Sequence, residues 1–118
     1  MTVELDPTAP ISAYNVNRSD GTPVGTADFV AVPGVHEERI FFHTEVCQDF
    51  GGRDLVRLLV SKALTDSIRD RATVVPLCPM FARHLQAHGD TFVASGGVFR
   101  RPTADDIGVI TRATLGEA

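Results

Sequence analysis

The chain has 118 residues, 43% of them hydrophobic, which is the size of one ordinary domain able to bury a core without disulfides or a metal. Its formal net charge is −4 with both signs interspersed, which argues against binding DNA or RNA through a basic surface. No apolar run approaches the roughly 18 residues of a membrane-spanning helix, and the start MTVELDPTAPIS has neither the basic opening nor the apolar core of a secretory signal. A cytoplasmic protein is the expectation, and with it Cys47 and Cys78 as free thiols rather than a bridge.

Pro7 and Pro10 make residues 1–10 read as a loose tail. From Ile11 a strand pattern begins, with Tyr14 and Val16 alternating with polar neighbours. Asp20 and Gly21 then supply an Asp-Gly hairpin turn, and Val24 to Val32 reads as the returning strand. The segment "PGVHEE" turns the chain again into a strand, "RIFFHTEV". The first half is thus an antiparallel meander. In the last strand His43 and Glu45 share one face, and Ile40, Phe42, Thr44 and Val46 are expected on the other, core-facing side.

The period changes in "RDLVRLLVSKALTDSIRD". Val56, Leu59, Val60, Ala63, Leu64, Ser67 and Ile68 fall on one side of a helix, with Arg57, Ser61, Lys62, Thr65, Asp66 and Arg69 opposite. "ATVVPL" follows as a short β-branched strand ending at Pro76. Pro79 suits the first turn of another helix, carrying Met80, Phe81, His84, Leu85 and His88 and stopping at Gly89. Residues 91–118 read as a C-terminal extension, with Thr103 and Asp106 at capping-box spacing before a short helix that holds Ile107 and Ile110. The fold class is α/β, a mixed sheet built as a meander followed by strand–helix–strand–helix.

Four single residues, pairs or clusters are candidates for chemistry. His43 and Glu45 could take a proton from an ammonium group, or form an ordinary solvated strand end. Cys78, in "VVPLCP", is either a small apolar filler or a thiol placed just before a helix start, where the dipole favours the thiolate. Cys47, Cys78, His84 and His88 lack the paired Cys-x-x-Cys spacing of a structural zinc site, and no metal is expected. Arg100 and Arg101 make a small basic spot of the kind usually found on a solvated surface. There is no Walker loop, no Gly-x-Ser-x-Gly elbow and no Gly-x-Gly-x-x-Gly.

The block "HTEV" at residues 43–46, the amphipathic helix and the block "VVPLCP" at 74–79 together resemble the short, minimal branch of the GNAT superfamily of acyl-CoA-dependent N-acetyltransferases. The similarity covers roughly residues 11–90, which makes 11–90 the expected acetyltransferase domain. It implies two parallel neighbours that splay apart, with the pantetheine arm of acetyl-CoA in the gap and its pyrophosphate at the following helix start, where free N–H groups and the positive dipole end suit phosphate. On that resemblance Val46, Gly51, Gly52 and Arg53 hold the cofactor, Glu45 with His43 handles the proton, and Cys78 stands at the acyl end. The family's turn reads approximately Arg-Gly-x-Gly-x-Gly; here Asp54 and Val56 stand where two of its glycines would be.

The implied activity is transfer of an acetyl group from acetyl-CoA to an amine on a small molecule or protein. Two alternatives come from other classes: an inactive GNAT-shaped interaction or regulatory module, and an acyl-CoA binder that transfers nothing. A homodimer through the C-terminal extension is the expected assembly if Ile107 and Ile110 are buried against a second copy.

Overall fold

The computed structural model describes residues 1–116. Its six strands lie in one sheet in chain order, β1 (Thr2–Asp6), β2 (Ser12–Asn17), β3 (Pro23–Val32), β4 (Glu38–Val46), β5 (Thr73–Pro76) and β6 (Val98–Phe99). Helix α1 (Gly52–Arg69) joins β4 to β5, α2 (Pro79–Ala94) joins β5 to β6, and α3 (Ala104–Thr114) closes the described chain. β1 to β4 pair antiparallel, whereas β4, β5 and β6 pair parallel. This is the mixed α/β sheet read from the sequence.

The β2–β3 hairpin turns at Gly21, which sits at φ +90°, a conformation glycine adopts without strain. The Asp20 carboxylate accepts a hydrogen bond from the Thr22 backbone at 3.0 Å and fixes the same turn.

The expected loose tail is corrected over half its length, because Thr2–Asp6 pairs along β2 from Thr2↔Asn17 to Asp6↔Ala13. Pro7 and Pro10 follow this strand rather than interrupt it, so neither removes a ladder donor. The first helix matches its expected span, with one exception among its polar residues. Asp66, expected on the solvent side, is 3% exposed and accepts a hydrogen bond from the Tyr14 hydroxyl at 2.9 Å. The second helix does not stop at Gly89 but reaches Ala94, with non-helical angles at His88 marking the kink. Gly89 is needed there for space: a Cβ on it would lie 2.9 Å from the Phe99 ring. The expected capping box is formed by Thr103 and Asp106, so α3 begins where the sequence starts it. Positions 117–118 of the expected extension lie outside the described residues.

The core lies between the sheet and the α1–α2 layer. Tyr14, Phe29, Phe41 and Phe81 run across it as a continuous series, with ring centroids 5.6, 5.0 and 4.4 Å apart. Leu55, Leu59, Val60 and Ala63 of α1 close over these rings. Burial of each such aromatic contributes about 2–3 kcal/mol.

α3 covers the opposite sheet face and is held there by Arg100. Its guanidinium donates to both carboxylate oxygens of Glu38 at 2.8 and 2.9 Å, and to both of Asp106 at 2.8 and 2.7 Å. The small basic spot read from the sequence is therefore, at Arg100, an internal clamp between β4 and α3.

Candidate active site

Strand β4 carries the site, and one extra residue in it decides which side chains face which way. Its pairing with β3 runs through Phe29↔Phe41 and then Asp28↔His43, so Phe42 is a bulge. Before the bulge, Phe41 points into the α1–α2 core, packed on Phe29 and Phe81, and Ile40 is buried outside that cluster. This corrects the expected core-facing set of Ile40 and Phe42. After the bulge the alternation resumes in the opposite phase, and Thr44 and Val46 face inward as expected. His43 and Glu45 face outward together.

The parallel ladder of β4 with β5 ends at Phe41↔Pro76. A last link follows it, from the Cys78 N–H to the Phe41 carbonyl at 2.8 Å. Beyond this point β4 continues through Phe42–Val46 while the other chain turns away into α2. Cys78 sits at the base of the resulting gap, 3% exposed, as the residue preceding α2. Its Sγ lies 3.2 Å from Thr44 Oγ1. The structure thus brings Cys78 to β4 but not to a histidine or carboxylate.

On the outer face His43 Nε2 lies 4.0 Å from Glu45 Oε2, with side chains 51% and 77% exposed. Asp28 is the cross-strand neighbour of His43, a residue that sequence reading missed. Burial pushes the Asp28 carboxyl up from its ordinary value, against the pull of the Thr26 hydroxyl and of His43. The signal that could have found it is register: a hairpin turn at Asp20–Gly21 and the next turn at "PGVHEE" bring Asp28 near the His43 level.

Past Val46, the short turn Gln48–Phe50 leads to Gly51 at φ +81° and directly into α1. No side chain caps this helix, so its first N–H groups remain free for an anion. Gly52 is buried, and a Cβ there would collide with the Gln48 side chain. Arg53 is exposed beside it. Asp54 is also exposed and lies 3.8 Å from Arg57, which offsets its charge at the helix start. Val56 packs against the core and takes no part in the turn. Arg18, unremarked in the sequence, places its guanidinium 4.5 Å from the Phe50 ring, at the same end of the sheet.

His84 and His88 are neighbours on α2, their ring centroids 5.0 Å apart, facing α1 rather than Cys78. Burial, with His88 beside it, holds the His84 imidazole below its ordinary value. Among the described residues no group of three or more His, Cys, Asp or Glu is placed to hold a metal ion. Both cysteines are free thiols. No helix among the described residues is long and apolar enough to cross a membrane.

Comparison with solved structures gives a ribosomal-protein-alanine N-acetyltransferase from Brucella melitensis biovar Abortus 2308, at a TM-score of 0.50 and 14% identity. The match covers 92% of this chain and 64% of the other, so the likeness concerns the fold. Among curated proteins none matches the chain. The model of the GCN5-related N-acetyltransferases matches residues 13–93, from β2 nearly to the end of α2. By that match, over most of its length, the chain belongs to the family of GCN5-related N-acetyltransferases.

Proposed function

We propose that the chain transfers an acetyl group from acetyl-CoA to an amine, at the gap where β4 outruns β5. The observation that carries this reading is continuity. The gap at Phe42–Val46 opens along β4, and the same chain passes through Gly51 into the uncapped start of α1. An extended thiol arm along β4 therefore ends in its pyrophosphate at free N–H groups.

The residues fit that ligand in three respects. Val46 borders the gap on the inner face, Gly51 and Gly52 give the backbone its turn and its clearance, and Arg53 adds a cation beside the helix start. The Gln48 amide, folded over Gly52, moves aside to admit a phosphate. Acetyl-CoA supplies the activated acyl thioester. Backbone N–H groups released by the bulge polarise its carbonyl. Glu45 and His43 take the proton from the incoming ammonium group, through water at their exposed positions. Cys78, buried against Thr44, lines the acyl end rather than accepting the acyl group.

The acceptor is a primary amine on a small molecule or protein. Asp54 in the first turn of α1 favours a second reading, in which acyl-CoA is bound without transfer. A dimer through α3 would use Ile107, which is 55% exposed.

The test is calorimetric titration with acetyl-CoA, followed by an acetylation screen over an amine panel. Saturable binding, lost in Gly52→Glu, supports the site, and acetylated product supports transfer. Binding without product from any amine leaves the non-transferring reading. No binding at millimolar acetyl-CoA overturns both.

A further inference from the structure

The opposite end of the sheet holds a second cavity, about 520 Å³ in volume, at the free edge of β3. The pairing of β2 with β3 ends at Ser12↔Phe29, so Val30–Val32 have no strand partner on that side. Pro10, Phe29, Val30, Val109 and Ala113 give the cavity an apolar lining. Its volume falls within the ~300–1,000 Å³ of small-molecule sites.

Arg39 also lines this cavity and is 8% exposed. Its Nε donates to Glu37 at 2.7 Å and its Nη2 to Asp70 at 2.8 Å. Nη1 is buried and has no hydrogen-bond partner among the described residues. A buried guanidinium nitrogen without an acceptor is costly, and such groups in native proteins are satisfied by water or a ligand. The lining is mostly apolar, with Thr8, Ser12, Glu37 and Arg112 as its other polar members, so an apolar molecule with one polar group matches it better than water alone.

We infer that this cavity is a binding site for a small apolar molecule carrying a neutral amide, with the amide oxygen accepting from Arg39. Two carboxylates already balance the guanidinium, and the other cation lining the cavity, Arg112, is exposed and screened by solvent, so a third negative charge gains little there. An amide also matches the free edge of Val30–Val32, since it presents both an acceptor and a donor to backbone groups. The site is separate from the acyl-transfer gap, because Arg39 and Thr44 stand about 16 Å apart along β4. It does not rest on the acetyltransferase reading.

The test is ¹H–¹⁵N NMR titration of the full chain with hexanamide, hexanoate and hexylamine. It follows the Arg39 side-chain Nε–H and the backbone amides of Val30–Val32. Hexanamide is expected to shift these signals saturably, hexanoate at least roughly tenfold more weakly, and hexylamine not at all. Ala31→Leu is the matched variant: Ala31 is exposed and lies opposite Arg39 in the β3–β4 register, so a larger side chain fills the space beside the guanidinium. It is expected to abolish the shifts while leaving acetyl-CoA titration unchanged. No shift with hexanamide at millimolar concentration overturns the inference. So does equal or tighter binding of hexanoate, or binding that survives Ala31→Leu with the fold intact.

Discussion

Thr44 Oγ1 and Cys78 Sγ lie 3.2 Å apart across the point where β4 and β5 part company. Each side chain comes from a different strand end, and together they form the floor of the gap. In the proposed reaction, a cysteine engaged with a hydroxyl and 3% exposed serves as a wall rather than a nucleophile.

Cys78→Ala tests that assignment. The variant is expected to lose about 1 kcal/mol of stability, because Thr44 loses its partner in a half-buried position. Turnover is expected to fall by less than about tenfold, with no burst phase. Mass spectrometry of the wild type after incubation with acetyl-CoA alone should show no acetylated cysteine.

Glu45→Gln bears on proton transfer. Removing the carboxylate beside His43 should lower kcat by about a hundredfold and leave acetyl-CoA affinity unchanged. The deficit should shrink at alkaline pH, where the amine arrives neutral. Steady-state kinetics between neutral and alkaline pH read both effects.

Gly51→Ala addresses the turn into α1. A side chain at φ +81° costs about 1–2 kcal/mol, although nothing crowds a Cβ at this position. Chemical denaturation measures the loss, and calorimetry should show weaker acetyl-CoA binding because the turn presents the helix N–H groups.

Arg100→Met removes the clamp on α3. Glu38 and Asp106 then face each other without the guanidinium, and a loss of about 2 kcal/mol is expected, discounted for the partial exposure of Arg100. Hydrogen exchange should show α3 opening ahead of the rest of the sheet.

Acid provides a related check. Hydrogen bonds from Arg69 and Arg39 hold the Asp70 carboxyl down at about 2. Arg100 lowers both Glu38 and Asp106 from their ordinary values. A carboxyl depressed in the folded state binds its proton more readily when unfolded, so stability is full above the unfolded value and falls as the pH drops through the folded one. Melting temperatures should therefore be flat above about pH 5 and decline steadily toward pH 2. A protein equally stable at both ends would remove these pairs as contributors.

Local patterns made most of the fold legible. The Asp20–Gly21 turn, the amphipathic run from Arg53 and the Thr103–Asp106 box each carry their own cause within a few residues. What escaped depends on distant partners. Asp66 reads as a surface residue until Tyr14 is placed 2.9 Å from it. Gly89 reads as a helix stop until the Phe99 ring occupies the space of its missing side chain. Val3 and Leu5 make a strand only once β2 lies beside them. In the candidate site, His43, Glu45 and Cys78 were visible as types, whereas Asp28 required the β3–β4 register.

The single unpaired residue at Phe42 makes β4 two half-strands of opposite parity. Deleting that residue would regularise the ladder with Asp28 still opposite His43, and would keep His43 and Glu45 outward and Thr44 and Val46 inward. A second deletion, beyond Phe42, would reverse the facing and draw the turn at Gly51 one step toward the sheet. The strand thus tolerates a one-residue loss at Phe42 alone, whereas a loss elsewhere would also shift the start of α1 against the gap.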